Sequence, residues 1–293
     1  MTDLAMADIT RNFIRAKEPC AAGYRWFLRR QEFGSSYQGL LDDLVREGRV
    51  EDACWLLDQL GPTHDVLRVD NLDAEALVFA GRIECAGSAA VGAMLRTGRG
   101  LTVRGGVSVD GRLEIGEGLL AQGAVQCGGI VHVGDDLRIE WGLTAAGDVT
   151  CKGNVRTGWG LSSGATMRIT GDVVVGQDVS VAGDFYCGEG VKVGGDLRAQ
   201  GQLDVRRGID AGGTVESPMH IRAGWGIRSG GDIRSGGAIR VGESLVAAGV
   251  IEAGAGYGIY AGVDVSMNAW EDCARVTARL RPEGLLSGWW CAP

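Results

Sequence analysis

From Leu101 to Val263 every sixth residue is apolar, and this period decides what the chain can fold into. Two residues after each comes a second, smaller apolar residue: Val103, Val109, Ile115, Ala121, Cys127, Val133 and Ile139. The residue between them is usually polar, as at Thr102, Ser108, Glu114, Gln126 and Arg138. In–out–in is the alternation of a β-strand. The next three positions are rich in Gly and Asp, as in Gly194-Gly195-Asp196 and Gly230-Gly231-Asp232, which is turn chemistry. Each hexad is one short strand and one corner, and an unbroken series of them predicts a parallel β-solenoid. Composition agrees: 50 glycines with 5 prolines exclude collagen and argue against a Pro/Gly-rich linker, and 45% of the residues are apolar.

Charge order sets the number of hexads per coil. Stacked strands lie ~4.8 Å apart, so outward neighbours on adjacent coils should alternate in sign. With three hexads, about 18 residues, per coil, Arg198/Glu216, Glu216/Arg234, Arg234/Glu252, Lys192/Asp210, Asp210/Arg228 and Asp204/Arg222 become opposite-sign neighbours. Arg138/Arg156 and Arg222/Arg240 are the like-sign exceptions. Two hexads per coil gives no such preference. The expected fold is therefore an all-β, three-sided parallel β-helix with a small N-terminal α-helical domain. Handedness stays open.

The period fades at both ends. Upstream, Leu77, Phe79, Ile83, Cys85 and Leu95 keep the phase, so the solenoid starts near residue 65 or 75. Residues before that carry apolar side chains at helical spacing, among them Phe13, Trp26, Phe27, Leu40, Leu41, Leu44, Leu56 and Leu57. Helices are expected over 8–17, 20–31, 36–48 and 51–60, with Ser35 or Ser36 as an N-cap and Gly48 and Gly61 at C-termini. The expected organisation is a helical cap or partner-binding module over 1–64, the solenoid over 65–265, and an irregular C-terminal cap over 266–293.

Catalytic and cofactor chemistry finds little support. Solenoid enzymes carry their reactive groups on loops that interrupt the repeat, and this repeat has none. The 3 histidines, His64, His132 and His220, form no cluster; His132 stacks beneath Glu114. The 8 cysteines lack a CxxC, and Cys85, Cys127, Cys151 and Cys187 fall on inward positions as small buried groups. The corner aspartates Asp136, Asp148, Asp172, Asp178, Asp184, Asp196 and Asp232 should accept corner N–H groups; Asp178 over Asp196 is the one pair to check for a bound cation. Gly-rich corners open no helix, so they bind no dinucleotide. No catalytic residue, metal or cofactor is expected. A net charge of −8 and a pI of about 5.0 argue against bulk attraction to nucleic acid or an anionic membrane. No signal-peptide core or apolar run of roughly 18 residues occurs, so a cytoplasmic location is expected.

One constellation stands out. Arg138 and Trp141 recur one coil later as Arg156 and Trp159, while Trp225 repeats the Gly-Trp-Gly motif in another part of the chain, followed by Arg228, Arg234 and Arg240. Corners favour Gly, so tryptophans there point outward. Trp and Arg are also enriched at binding hot spots. Arg138, Trp141, Arg156, Trp159 and Trp225 are the candidate partner-binding residues.

The stretches Glu140-Trp141-Gly142-Leu143, Gly158-Trp159-Gly160-Leu161 and Ala223-Gly224-Trp225-Gly226-Ile227 resemble bacterial Gly-rich, AGWGI-type hexapeptide-repeat proteins, and the repeat is similar to that of bactofilins. The resemblance implies a bacterial β-solenoid. It suggests a non-enzymatic protein-binding role, most concretely an immunity protein that neutralises a cognate toxin. A self-assembling bactofilin-like scaffold and a hexapeptide-type acyltransferase are the alternatives.

Overall fold

A computed structural model describes residues 11–30 and 36–292, with residues 11–13 and 30 described by backbone alone. The expected helix start at 8, the helix end at 31, the burial of Phe13 and the alternative N-cap Ser35 lie outside these described residues.

The chain folds as a three-sided parallel β-solenoid with a small helical head. Each coil supplies three short strands, and each strand pairs with its equivalent in the next coil. Thus Leu137 lies against Val155, Leu143 against Leu161, and Val149 against Met167. The first face is a 13-stranded ladder from Val66–Val69 to Trp289–Cys291. The other two faces form one 21-stranded sheet, because Leu72–Phe79 and Ala89–Thr97 each run from the second face into the third.

From Leu101 to Ala247 the two inward positions of each strand are buried, and their apolar side chains form one continuous core. Several second positions are not hydrocarbon, and their polar atoms have a set task. Ser163 Oγ donates to Gly147 O at 2.9 Å and Ser229 Oγ to Gly213 O at 2.6 Å, both in the preceding coil. Cys127, Cys151 and Cys187 use their thiols the same way, at 3.1, 3.0 and 3.3 Å. Burial pushes the Cys151 and Cys187 thiols up to about 11.

The corners are stapled from coil to coil. Asp178 Oδ1 accepts the Asp196 N–H at 2.7 Å, and Asp196 Oδ1 accepts the Thr214 N–H at 2.6 Å. Asp148, Asp172, Asp184 and Asp232 do likewise, and His220 Nδ1 serves for the Ala238 N–H at 2.9 Å. Glycine keeps the coils this close: a Cβ on Gly194 would meet Gly176 O at 2.1 Å.

The helices are α1 (Arg11–Ala16), α2 (Ala21–Arg30), α3 (Tyr37–Arg46) and α4 (Val50–Leu60). Ser36 caps α3 by accepting the Gly39 N–H at 3.2 Å, and Gly48 and Gly61 end their helices at φ 72° and 79°. The head packs on the start of the third face: Leu40, Leu41, Leu44, Leu56 and Leu57 share a core with Val78, Ala80 and Met94. Gln38 imitates a neighbouring strand. Its Nε2 donates to Val78 O and its Oε1 accepts the Ala80 N–H, both at 2.9 Å, which satisfies the edge of the first coil. Asp58–Arg96 and Glu51–Arg112 ion pairs tie α4 to the outside of the same face.

The far end departs from the period. Ile239 pairs with Ile259, so two extra residues enter the last full coil. Tyr257, which falls on the sixfold series, is 52% exposed, while Ile259 is fully buried in its place; Val263 is likewise off the strand positions. Apolar character alone does not set direction, and the turn at Gly256 (φ 82°) resets the phase. The stretch after 265 is also more regular than expected. Arg275–Thr277 and Trp289–Cys291 extend the first face and Leu285–Ser287 the third, all in parallel register. Among the described residues, no helix is long and apolar enough to cross a membrane.

Candidate functional site

The five candidate residues all border the first face. Arg138 and Arg156 are the outward residues of adjacent strands Leu137–Ile139 and Val155–Thr157 and face each other in register. The chain then turns, and the corner leading to the second face carries Trp141 and Trp159. Their rings stack at 5.4 Å between centroids and 7° between planes, and the Trp159 N–H donates to Trp141 O at 3.0 Å. Each ring covers one side of the other, yet they remain 54% and 52% exposed. They form a fin of two indoles rather than two plates lying flat on the corner.

Trp225 does not stand elsewhere, as its place in the sequence suggests. It lies on the opposite edge of the same face, at the corner leading in from the third face, and is 52% exposed. The Arg207 guanidinium, one coil earlier, sits over its ring at 5.3 Å and pairs with Glu189 at 2.6 Å. Along the corner that leads in from the third face runs a hollow of about 570 Å³. Its floor is the outward ladder Arg138, Arg156, Val174, Lys192 and Asp210, and Trp225 closes one end. The hollow exists because the corner column changes character. Asp136, Asn154 and Asp172 fill its first part, and Gly190 and Gly208 leave the rest open.

The electrostatics are uneven. Arg138 pairs with Asp136 at 3.0 Å. The Asp136 carboxyl is held below the usual carboxylate range, chiefly by the Asn154 backbone N–H, with the Asn154 amide and Arg138 adding to it. Arg156 has no ion-pair partner among the described residues. Lys192 and Asp210 face each other in register. Arg207, Lys192 and Val174 also line the hollow and are not among the five candidate residues. The signal for Arg207 is its place one coil before Trp225.

Asp178 and His220 are occupied by structural work. The Asp178 carboxylate accepts the Asp196 N–H, and His220 makes an edge contact with Tyr257 at 5.4 Å besides its staple. His132 stands outward between Glu114 and Thr150. Among the described residues, no group of three or more His, Cys, Asp or Glu could hold a metal ion.

Comparison with known proteins adds one finding. Residues 1–62 match the YdhT N-terminal domain. The match covers the helical head and stops before the first strand at Val66. The YdhT-like head is thus joined here to repeats outside the match, which leaves the hexapeptide-repeat and bactofilin likenesses resting on the repeats alone. Neither a curated protein nor a solved structure matches the chain.

Proposed function

We propose that the chain is a non-enzymatic, cytoplasmic protein-binding β-solenoid that docks its partner on the first face. The observation that carries this reading is the Trp141/Trp159 fin. Two stacked indoles, each about half exposed, stand on a rigid corner in register with Arg138 and Arg156. Buried aromatics at interfaces are dominant contributors to affinity, and here they need no reordering before contact. Each rung is held by ladder hydrogen bonds and corner staples, so little conformational entropy is lost on docking. A non-catalytic role is supported by the even spacing of the rungs from 101 to 252 and by the engagement of corner aspartates and His220 in backbone hydrogen bonds.

The finer role we propose is that of a bacterial immunity protein whose partner is a cognate toxin. Co-expression with the product of the adjacent gene tests it. A copurifying complex and rescued growth are expected, both weakened in the Trp141→Ala/Trp159→Ala double variant. A toxic neighbour that neither binds nor is neutralised, or a complex indifferent to the double variant, would overturn the corresponding part.

A further inference from the structure

The first face also carries information about the chemistry of its partner. The whole chain has a net charge of −8, but the hollow holds two cations, Arg156 and Lys192, that form no ion pair among the described residues. In Asp136-Leu137-Arg138, Asp196-Leu197-Arg198 and Asp232-Ile233-Arg234, the corner carboxylate closes on the arginine two residues later, at 3.0, 2.7 and 2.6 Å. The same turn at Asn154-Val155-Arg156 has an amide in place of the acid. Asn154 still staples the coils, accepting the Asp172 N–H at 3.0 Å and donating its Nδ2 to Asp136 at 3.0 Å, but it brings no charge to Arg156. Arg156 is left between Arg138 and Val174 on the ladder. Like charges directly opposite each other on a sheet are destabilising, so nothing in the fold favours this arrangement. Lys192 has Gly190 at the corner position, and Asp210 faces it in register without closing to an ion pair. Lys152 and Arg206 on the adjoining corner have no ion-pair partner among the described residues either.

We propose that the hollow receives an acidic, extended segment of the partner protein. Carboxylates of that segment meet Arg156 and Lys192, and an apolar side chain enters the space between Val174 and Trp225. The inference rests on the first face being the docking surface. A peptide fits better than a nucleic acid because Asp172, Asp210 and Glu189 are interleaved with the cations. A continuous phosphate backbone would meet them at every register, whereas a peptide can place apolar or polar residues there.

The test uses the full chain and three fluorescein-labelled probes: a peptide of Glu, Leu and Ser, its Lys counterpart, and a single-stranded oligonucleotide of the same charge as the acidic peptide. Polarisation should show preference for the acidic peptide, weakened by salt and reduced about tenfold in Arg156→Glu/Lys192→Glu. Arg156→Gln/Lys192→Gln provides a second variant, with thermal unfolding confirming that each folds. Preference for the Lys peptide or the oligonucleotide, or indifference to both pairs of substitutions, overturns the proposal. The copurified partner separates this from failure of the docking surface. Affinity lost with Trp141→Ala/Trp159→Ala but unchanged by the charge variants removes only the acidic-segment inference. Affinity unchanged by either removes both.

Discussion

Asp196 offers a direct test of how the coils are held together, because its two carboxylate oxygens do different things. Oδ1 accepts the Thr214 N–H of the next coil at 2.6 Å, and Oδ2 pairs with Arg198 at 2.7 Å. A hydrogen bond to a charged group contributes about 1.5–3 kcal/mol, and the lower half of that range applies at a partly exposed corner. The ion pair is worth only about 0.5 kcal/mol, since Arg198 is half exposed and has Glu216 at 3.5 Å as a second partner. Asp196→Ala should therefore lose about 2 kcal/mol. Asp196→Asn, which keeps an amide oxygen in place of Oδ1, should lose about 0.5–1 kcal/mol. Urea unfolding followed by circular dichroism measures both. Equal losses would show that the ion pair, not the staple, carries the stabilisation. No loss in either would show that the corner aspartates are dispensable.

Other outcomes follow from the same geometry. The Asp136 carboxyl is held below its ordinary value, so its contribution is fully present above the unfolded carboxylate pKa of about 3.9 and fades as pH falls through the lower folded value; Asp136→Asn should flatten that part of the acid-unfolding curve. Phe185 is fully buried between Met167 and Leu203, and Phe185→Ala should cost about 3–5 kcal/mol by urea unfolding. Cys151 and Cys187, with thiols pushed up to about 11, should resist a thiol reagent at neutral pH while exposed Cys20 reacts, and should become reactive on unfolding. Gly194→Ala should lower the unfolding midpoint, because the new Cβ would press on Gly176 O at 2.1 Å unless the corner opens.

The three-sided stack is legible in the sequence for a physical reason. Outward charges such as Arg198, Glu216, Arg234 and Glu252 become neighbours only when the coil length is right, so their alternating sign carries the register. Corner aspartates are legible too, since Asp suits exposed N–H groups at turns. The end of the solenoid is not. Tyr257 continues the apolar count but points outward, and the strands Arg275–Thr277, Leu285–Ser287 and Trp289–Cys291 join the stack without the hexad spacing. Tertiary pairing with an existing edge organises them, and no local pattern announces it.

The candidate site was half legible. Recurrence eighteen residues apart places Trp141 over Trp159 and Arg138 over Arg156. Trp225 comes from a different corner column, so a list of motifs separates it from the pair. Only the three-sided geometry shows that both columns flank one face. The isolation of Arg156 is visible in principle, as Asn154 standing where Asp136 and Asp196 stand in the equivalent turns.

Hydrogen exchange on the complex with the adjacent gene product would test the binding face most directly. Protection is predicted on the first-face rungs and their corners, over 137–142, 155–160, 190–193 and 225–228, with the second and third faces unchanged. Protection confined to the helical head, or to the second or third face, would contradict it.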